Sequence, residues 1–219
     1  MYNPSLRTKN IAASSRGLSA SKAVRTEQET IANVMQQYED HSICLIFACN
    51  KYPQSSKLKN LSCAVNDGML VAETLCGVKP VLNGTGIWES PIGKTGGQGF
   101  KVKMYVDEAV TKQAIEQSLV DLMDKYPTNN PQTGRLYICM AGHGLPDEDS
   151  GSSVFCCSDY DEKNRYGTSY PLDELKKKLQ RIGILHQLAH FDCCNAGGIF
   201  TAGRSRGGAY RVLTMATHP

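Results

Sequence analysis

Two kinds of side chain that can do covalent chemistry lie in glycine-bearing segments of this 219-residue chain. His143 sits within Ala141-Gly142-His143-Gly144, and adjacent thiols, Cys193 and Cys194, sit within Asp192-Cys193-Cys194-Asn195-Ala196-Gly197-Gly198. A thiol must lose its proton to attack a carbonyl, and an imidazole with a pKa near 6.5 can take that proton and later return it to a leaving amine. Glycines beside both groups let a substrate backbone approach and let N–H groups turn inward toward a developing oxyanion. The amides of Gly144 and Cys194 are the candidate donors.

The elements that must position these groups can be read from the apolar pattern. His41 to Cys49 is an almost unbroken apolar run, the mark of a strand covered on both faces. Residues 60–77 have a helical distribution of apolar residues, with Gly77 as a C-terminal stop. Residues 84–99, rich in glycine and holding Pro91, are expected to be an irregular insertion. Lys101 to Val106 reads as a strand, Thr111 to Asp124 as a helix, Arg135 to Met140 as a strand, Pro171 to Arg181 as a helix, and His186 to Phe191 and Tyr210 to Ala216 as strands. A short helix is also expected from Glu27 to Tyr38. Strands alternating with helices predict an α/β fold, a doubly wound and mainly parallel sheet between two helical layers. In such sheets ligands gather beyond the carboxyl ends of the strands, where His143 and the paired cysteines emerge.

The order and spacing of these segments resemble the caspase, metacaspase and paracaspase clan of cysteine peptidases over roughly residues 41–216. Gly142-His143-Gly144 is similar to that clan's Gly-His-Gly motif, and the segment from Asp192 to Gly197 to the metacaspase motif Asp-Ser/Cys-Cys-His-Ser-Gly. His143 precedes Cys194 by 51 residues, against about 50 in caspases. The resemblance implies that Cys194 is the nucleophile, His143 its acid/base partner and Cys193 a packing residue. Along an extended segment, Asp192 and Cys194 would also face the same side. Leu61-Ser62-Cys63-Ala64-Val65-Asn66-Asp67 is similar to the metacaspase stretch whose Asn-Asp pair supplies one acid of the specificity pocket, so the resemblance assigns Asp67 and Asp192 to the pocket for the P1 side chain. Two carboxylates there would favour Arg or Lys in protein or peptide substrates. Arg204 and Arg206, in a glycine-rich segment, are then candidates for self-cleavage, although solvated loop arginines are the plainer reading.

Departures from the family pattern also matter. Asn195 stands where metacaspases have histidine, and the acidic box of calcium-dependent members is missing in its usual form. No cofactor is expected and calcium activation is doubtful: Asp147, Glu148, Asp149, Asp159, Asp161 and Glu162 could ligate a hard cation through oxygen, but acids in a polar loop are more often simply solvated, the reading preferred for them. The ending at Thr217-His218-Pro219 is expected to lack the last part of the small-subunit region. A catalytically silent caspase-like domain acting by association is the alternative function.

Composition bounds the rest. A net charge of +3 gives no strong pull toward nucleic acid or acidic membranes, and no apolar run is long enough to span a bilayer. Nine cysteines, an odd number with two adjacent pairs, fit a reducing, cytoplasmic setting better than a disulfide framework. Residues 1–26 carry five bases and no acid; they are expected to be a disordered tail, with organelle import as the alternative, and residues 27–219 the peptidase domain. Gly93-Lys94-Thr95 lacks the first glycine of a phosphate loop, since Trp88 occupies that place, and no Cys-x-x-Cys pair supports a zinc module. Oligomeric state is not legible.

Overall fold

The computed structural model describes residues 29–30, 32–33, 36, 38, 40–91, 97–147 and 151–193. The chain divides into two units, residues 1–38 and 39–219. In the first, the described residues from position 29 onward are helical, as the Glu27–Tyr38 pattern predicts.

The second unit is built on a five-stranded sheet. β1 (Ser42–Ala48) pairs in parallel with β3 (Lys101–Val106) on one side and β4 (Gln132–Ala141) on the other. β4 pairs in parallel with β8 (Ile184–Asp192), and β2 (Ile87–Glu89) runs antiparallel along β3. The order is thus β2-β3-β1-β4-β8, with the apolar β1 at the centre.

Helix α1 (Ala64–Cys76) covers one face. It buries Ala64, Val65, Gly68, Ala72 and Cys76, a helical stripe that packs on Cys44, Ile46, Ala48, Val102, Met104 and Cys139. Gly77 ends it in the left-handed conformation, its N–H bonded to the Glu73 carbonyl. The opposite face is covered by α2 (Lys112–Lys125), N-capped by the Thr111 side chain, and by α3 (Leu172–Leu179). Their buried positions, Ile115, Ser118, Leu119 and Leu122 on α2 and Leu172, Leu175 and Leu179 on α3, fall at three- and four-residue spacing. Burying each such leucine or isoleucine is worth about 1.5–3 kcal/mol, so these stripes fix the helices on the sheet. The three-layer α/β/α arrangement is the one the sequence predicts.

Two features differ from expectation. The glycine-rich insertion contains the short edge strand β2, where an irregular segment was expected; Trp88 and Glu89 pair with Met104 and Lys103 of β3. Between β4 and α3 the chain adds a separate antiparallel sheet of β5 (Gly144–Asp147), β6 (Ser152–Cys156) and β7 (Ser169–Pro171). Pro146 in β5 and Gly151 at the turn conceal it from an alternation-based reading. Pro171 is therefore the last residue of β7 and the cap position of α3, one place before the first helical residue. Asp147, read as a solvated acid, is buried in β5 with the Tyr166 hydroxyl 3.3 Å from its carboxylate. The expected strand Tyr210–Ala216 lies outside the described residues. No helix among the described residues is long and apolar enough to cross a membrane.

Candidate active site

The carboxyl ends of β4 and β8 lie side by side and in register, Ala141 opposite Asp192. The pairing continues one step further, with the Gly142 N–H donating to the Asp192 carbonyl at 3.1 Å. On the other side the Cys49 N–H, at the end of β1, donates to the Ala141 carbonyl at 2.9 Å. The segment leaving β4 is therefore tied to both neighbours before it reaches His143.

His143 is held at three atoms. Its N–H donates to the Tyr52 hydroxyl at 2.9 Å, its carbonyl accepts from the Cys156 N–H at 2.9 Å, and its Nε2 lies 2.7 Å from the Lys59 carbonyl. A carbonyl can only accept, so Nε2 carries the proton in that contact, and Nδ1 is the basic nitrogen of the neutral ring. The Tyr52 ring packs against the imidazole, centroids 4.9 Å apart. Burial raises the Tyr52 hydroxyl pKa far above its ordinary value, so the hydroxyl remains a neutral donor and acceptor.

The bond from Cys156 to the His143 carbonyl also fixes the next amide. In antiparallel pairing it makes Gly144–Phe155 a non-hydrogen-bonded pair, which directs the Gly144 N–H away from β6. An outward amide is what an oxyanion donor needs.

The segment from Cys49 to Leu61 carries both Tyr52 and Lys59, and it is anchored by side chains distant in sequence. The Asp107 carboxylate accepts from the N–H groups of Asn50 and Lys51 at 2.8 and 3.1 Å, with the Lys51 ammonium 3.4 Å away. Asp107 adopts a positive φ of 47°, a conformation that aspartate tolerates better than most residues. The Asn60 side chain accepts from the Tyr52 N–H at 2.9 Å, and the Asn50 carbonyl accepts from Leu61 at 2.8 Å.

On the α1 face of the same rim, two carboxylates act on one thiol. Burial pushes the Cys139 thiol up to about 12, and the charges of Asp192 and Asp67 push it in the same direction. Asp192 is half-buried at the end of β8, and Asp67 is exposed in the first turn of α1. Beside Cys139, Tyr137 and His190 share a 3.1 Å hydrogen bond.

Of the residues singled out in the sequence, His143, Gly144, Asp67 and Asp192 gather around the carboxyl ends of β1, β4 and β8. Cys193 is buried in the cluster on the α2–α3 side of the sheet, with Phe191 and Met140. Cys194, Asn195, Arg204 and Arg206 lie outside the described residues. The eight described cysteines form no disulfide with one another. Among the described residues no three His, Cys, Asp or Glu side chains converge as a metal ion would require. Sequence reasoning missed Tyr52, Lys59, Asn60 and Asp107. The one available signal was the polar run Asn50-Lys51-Tyr52 directly after an apolar strand, at the rim where such folds place their sites.

A parallel sheet of this order, with a histidine leaving one central strand and a cysteine-bearing segment leaving its neighbour, defines a protein of the caspase-like α/β class. The caspase-domain family matches residues 41–213, and the chain belongs to that family. Among solved structures it is similar to protein GSU0716 from Geobacter sulfurreducens, at 17% identity and a TM-score of 0.50, over 70% of this chain and 50% of that one. It is also similar to the Drosophila initiator caspase Dronc, at 13% identity and a TM-score of 0.41, over 68% of this chain and 47% of that one. The chain thus spans about half the length of these structures. No curated protein matches it.

Proposed function

We propose that this chain is a metacaspase-like cysteine endopeptidase that hydrolyses peptide bonds after Arg or Lys, with Cys194 as nucleophile and His143 as acid and base. The observation that carries the reading is the register of β4 and β8. Ala141 and Asp192 are opposite one another, His143 and Cys194 each follow by two residues, and two residues of chain span at most about 7 Å.

The chemistry follows from the groups present. The Cys194 thiol gives its proton to His143 Nδ1, while the Lys59 carbonyl holds Nε2–H and so fixes the ring's tautomer and direction. The thiolate attacks the scissile carbonyl carbon, and the amides of Gly144 and Cys194 donate to the oxyanion. As the C–N bond breaks, His143 returns the proton to the departing amine and a thioester remains. Water, deprotonated by His143, attacks the thioester, and the released sulfur regains its proton. Side chains, amides and water account for every proton, so the cycle calls for no cofactor.

Asp67 and Asp192, which both act on Cys139, form the acidic pocket that selects a cationic P1 residue. Arg204 and Arg206 match that specificity and are the proposed self-cleavage positions.

The test is hydrolysis of fluorogenic peptides differing only in P1 (Arg, Lys or Asp), with and without calcium, by the wild type and by Cys194→Ala. Arg and Lys cleavage that disappears in the variant is the expected result. Absence of any cleavage by wild type would favour a binding domain, and preferential Asp cleavage would overturn the pocket.

A further inference from the structure

We infer that Tyr52 is a positioning residue for His143, acting through its hydroxyl as a bridge between the ends of two adjacent strands; the inference rests on the peptidase reading above. The Tyr52 hydroxyl accepts from the His143 N–H at 2.9 Å and donates to the Cys49 carbonyl at 3.4 Å. One buried oxygen thereby joins the residue after β1 to the residue that would act as base after β4.

Three further observations support a built contact. Tyr52 is only 7% exposed although it lies in a loop, and its own N–H is held by Asn60. Gly142 makes room for it, because a Cβ there would stand 2.8 Å from the Tyr52 hydroxyl oxygen and 3.1 Å from the Phe155 ring. Lys59, whose carbonyl meets Nε2, belongs to the same loop, so backbone and ring of His143 are both referred to residues 52–59.

Without the hydroxyl, the His143 N–H and the Cys49 carbonyl lose a shared buried partner. The segment carrying the imidazole would then settle differently while the rest of the core stays packed. Misplacing a base by an ångström costs far more in turnover than in substrate binding. Tyr52→Phe removes the oxygen and keeps the ring that packs on the imidazole, so it isolates the bridge.

The experiment uses the full chain. kcat and KM are measured on an Arg-P1 peptide for wild type, Tyr52→Phe, Gly142→Ala and Tyr170→Phe. The rate of iodoacetamide labelling at Cys194, resolved peptide by peptide, is followed from pH 5 to 9. Tyr170 is the matched control, a fully buried tyrosine whose hydroxyl bonds Glu116 rather than the His143 segment.

Tyr52→Phe is expected to lower kcat about tenfold with KM within about twofold. It should also move the labelling midpoint toward the free-thiol value of about 8.5. Gly142→Ala, which displaces the same hydroxyl, should shift both in the same direction, and Tyr170→Phe neither. Unchanged kcat and midpoint in folded Tyr52→Phe and Gly142→Ala, or equal shifts in Tyr170→Phe, would overturn the inference and leave the peptidase reading standing. Peptide hydrolysis that persists in Cys194→Ala, with an ordinary thiol midpoint in the wild type, would remove the peptidase reading and the inference with it.

Discussion

Removing the two carboxylates proposed to line the pocket, Asp67 and Asp192, one at a time should cost unequal amounts, and the inequality can be worked from their exposure. Two unit charges 4 Å apart attract by about 1 kcal/mol in water and about 4 kcal/mol at an effective dielectric of 20. Asp67 is exposed in the first turn of α1, so its pull on a P1 guanidinium lies near the aqueous limit, while half-buried Asp192 lies between the limits, near 2 kcal/mol. With tenfold per 1.36 kcal/mol, Asp67→Asn should lower kcat/KM for an Arg-P1 peptide at most about fivefold and Asp192→Asn about thirtyfold. The same peptide carrying citrulline, neutral and nearly isosteric, is the reference, since neither substitution should change its cleavage much. Raising salt from 0.05 to 0.5 M should erase most of the Asp67 effect and less of the Asp192 effect. Both carboxylates would meet one cation, so the double variant should fall short of the product of the single losses. Equal losses with arginine and citrulline would show that the aspartates shape the site instead of reading charge, and a larger effect at Asp67 would refute the exposure argument.

Two further predictions concern the frame of the site. Gly68→Ala sets two effects against each other: alanine gains about 1 kcal/mol of helix propensity, but its Cβ would stand 2.9 Å from the Met104 methyl, 3.0 Å from Ala48 and 3.1 Å from Ile46. The Met104 end can swing aside, but Ala48 and Ile46 belong to the central strand, and overpacking there costs about 1–3 kcal/mol. A fall of about 4 °C in Tm is expected by calorimetry, and a rise would mean that the helix slides freely on the sheet. For Glu116, burial raises its pKa, but Lys178, 2.6 Å away, and the Tyr170 hydroxyl more than offset this and hold the carboxyl below its ordinary value. A depressed carboxyl stabilises the fold above the unfolded-state pKa, near 4.3, and that stabilisation is lost as pH falls through the lower folded value. The gap in urea midpoint between wild type and Glu116→Gln should therefore hold steady between pH 7 and 5 and close below about pH 4; a gap constant to pH 3 would refute the assignment.

Much of the main sheet was legible because its signals are local. The run from Ser42 to Ala48 is buried along nearly its whole length, and the strand Lys101–Val106 and the helix ending at Gly77 lie where periodicity and capping put them. The β5–β6–β7 sheet was not legible, since strands of three to five residues interrupted by Pro146 and Gly151 carry too few positions for a period-two pattern. His143, Asp67 and Asp192, singled out by residue type and resemblance, lie around one rim of the sheet. The residues that hold His143 were invisible for a different reason. Lys59 contributes a backbone carbonyl, which any residue could supply, and Tyr52 contributes a hydroxyl across 91 positions of sequence.

That division has a physical root in the register of the sheet. In a parallel pair, the residue opposite a strand end decides which exit segments become neighbours, and a slip of one residue turns every side chain to the other face. Were β8 shifted by one against β4, Asp192 would leave the α1 face, where it acts with Asp67 on Cys139, and Cys193 would take its place. The pairing does contain an irregularity, but it falls between Gln132 and Arg135, at the end far from His143. From Arg135–His186 to Ala141–Asp192 the ladder runs without interruption, and the Gly142 N–H extends it by one more bond. The irregularity is thus taken up where the strands begin, and the ends that carry the histidine and the cysteines stay in step. A motif of a few residues can therefore specify a site only because some seven residues of regular pairing behind it hold the two exits opposite one another.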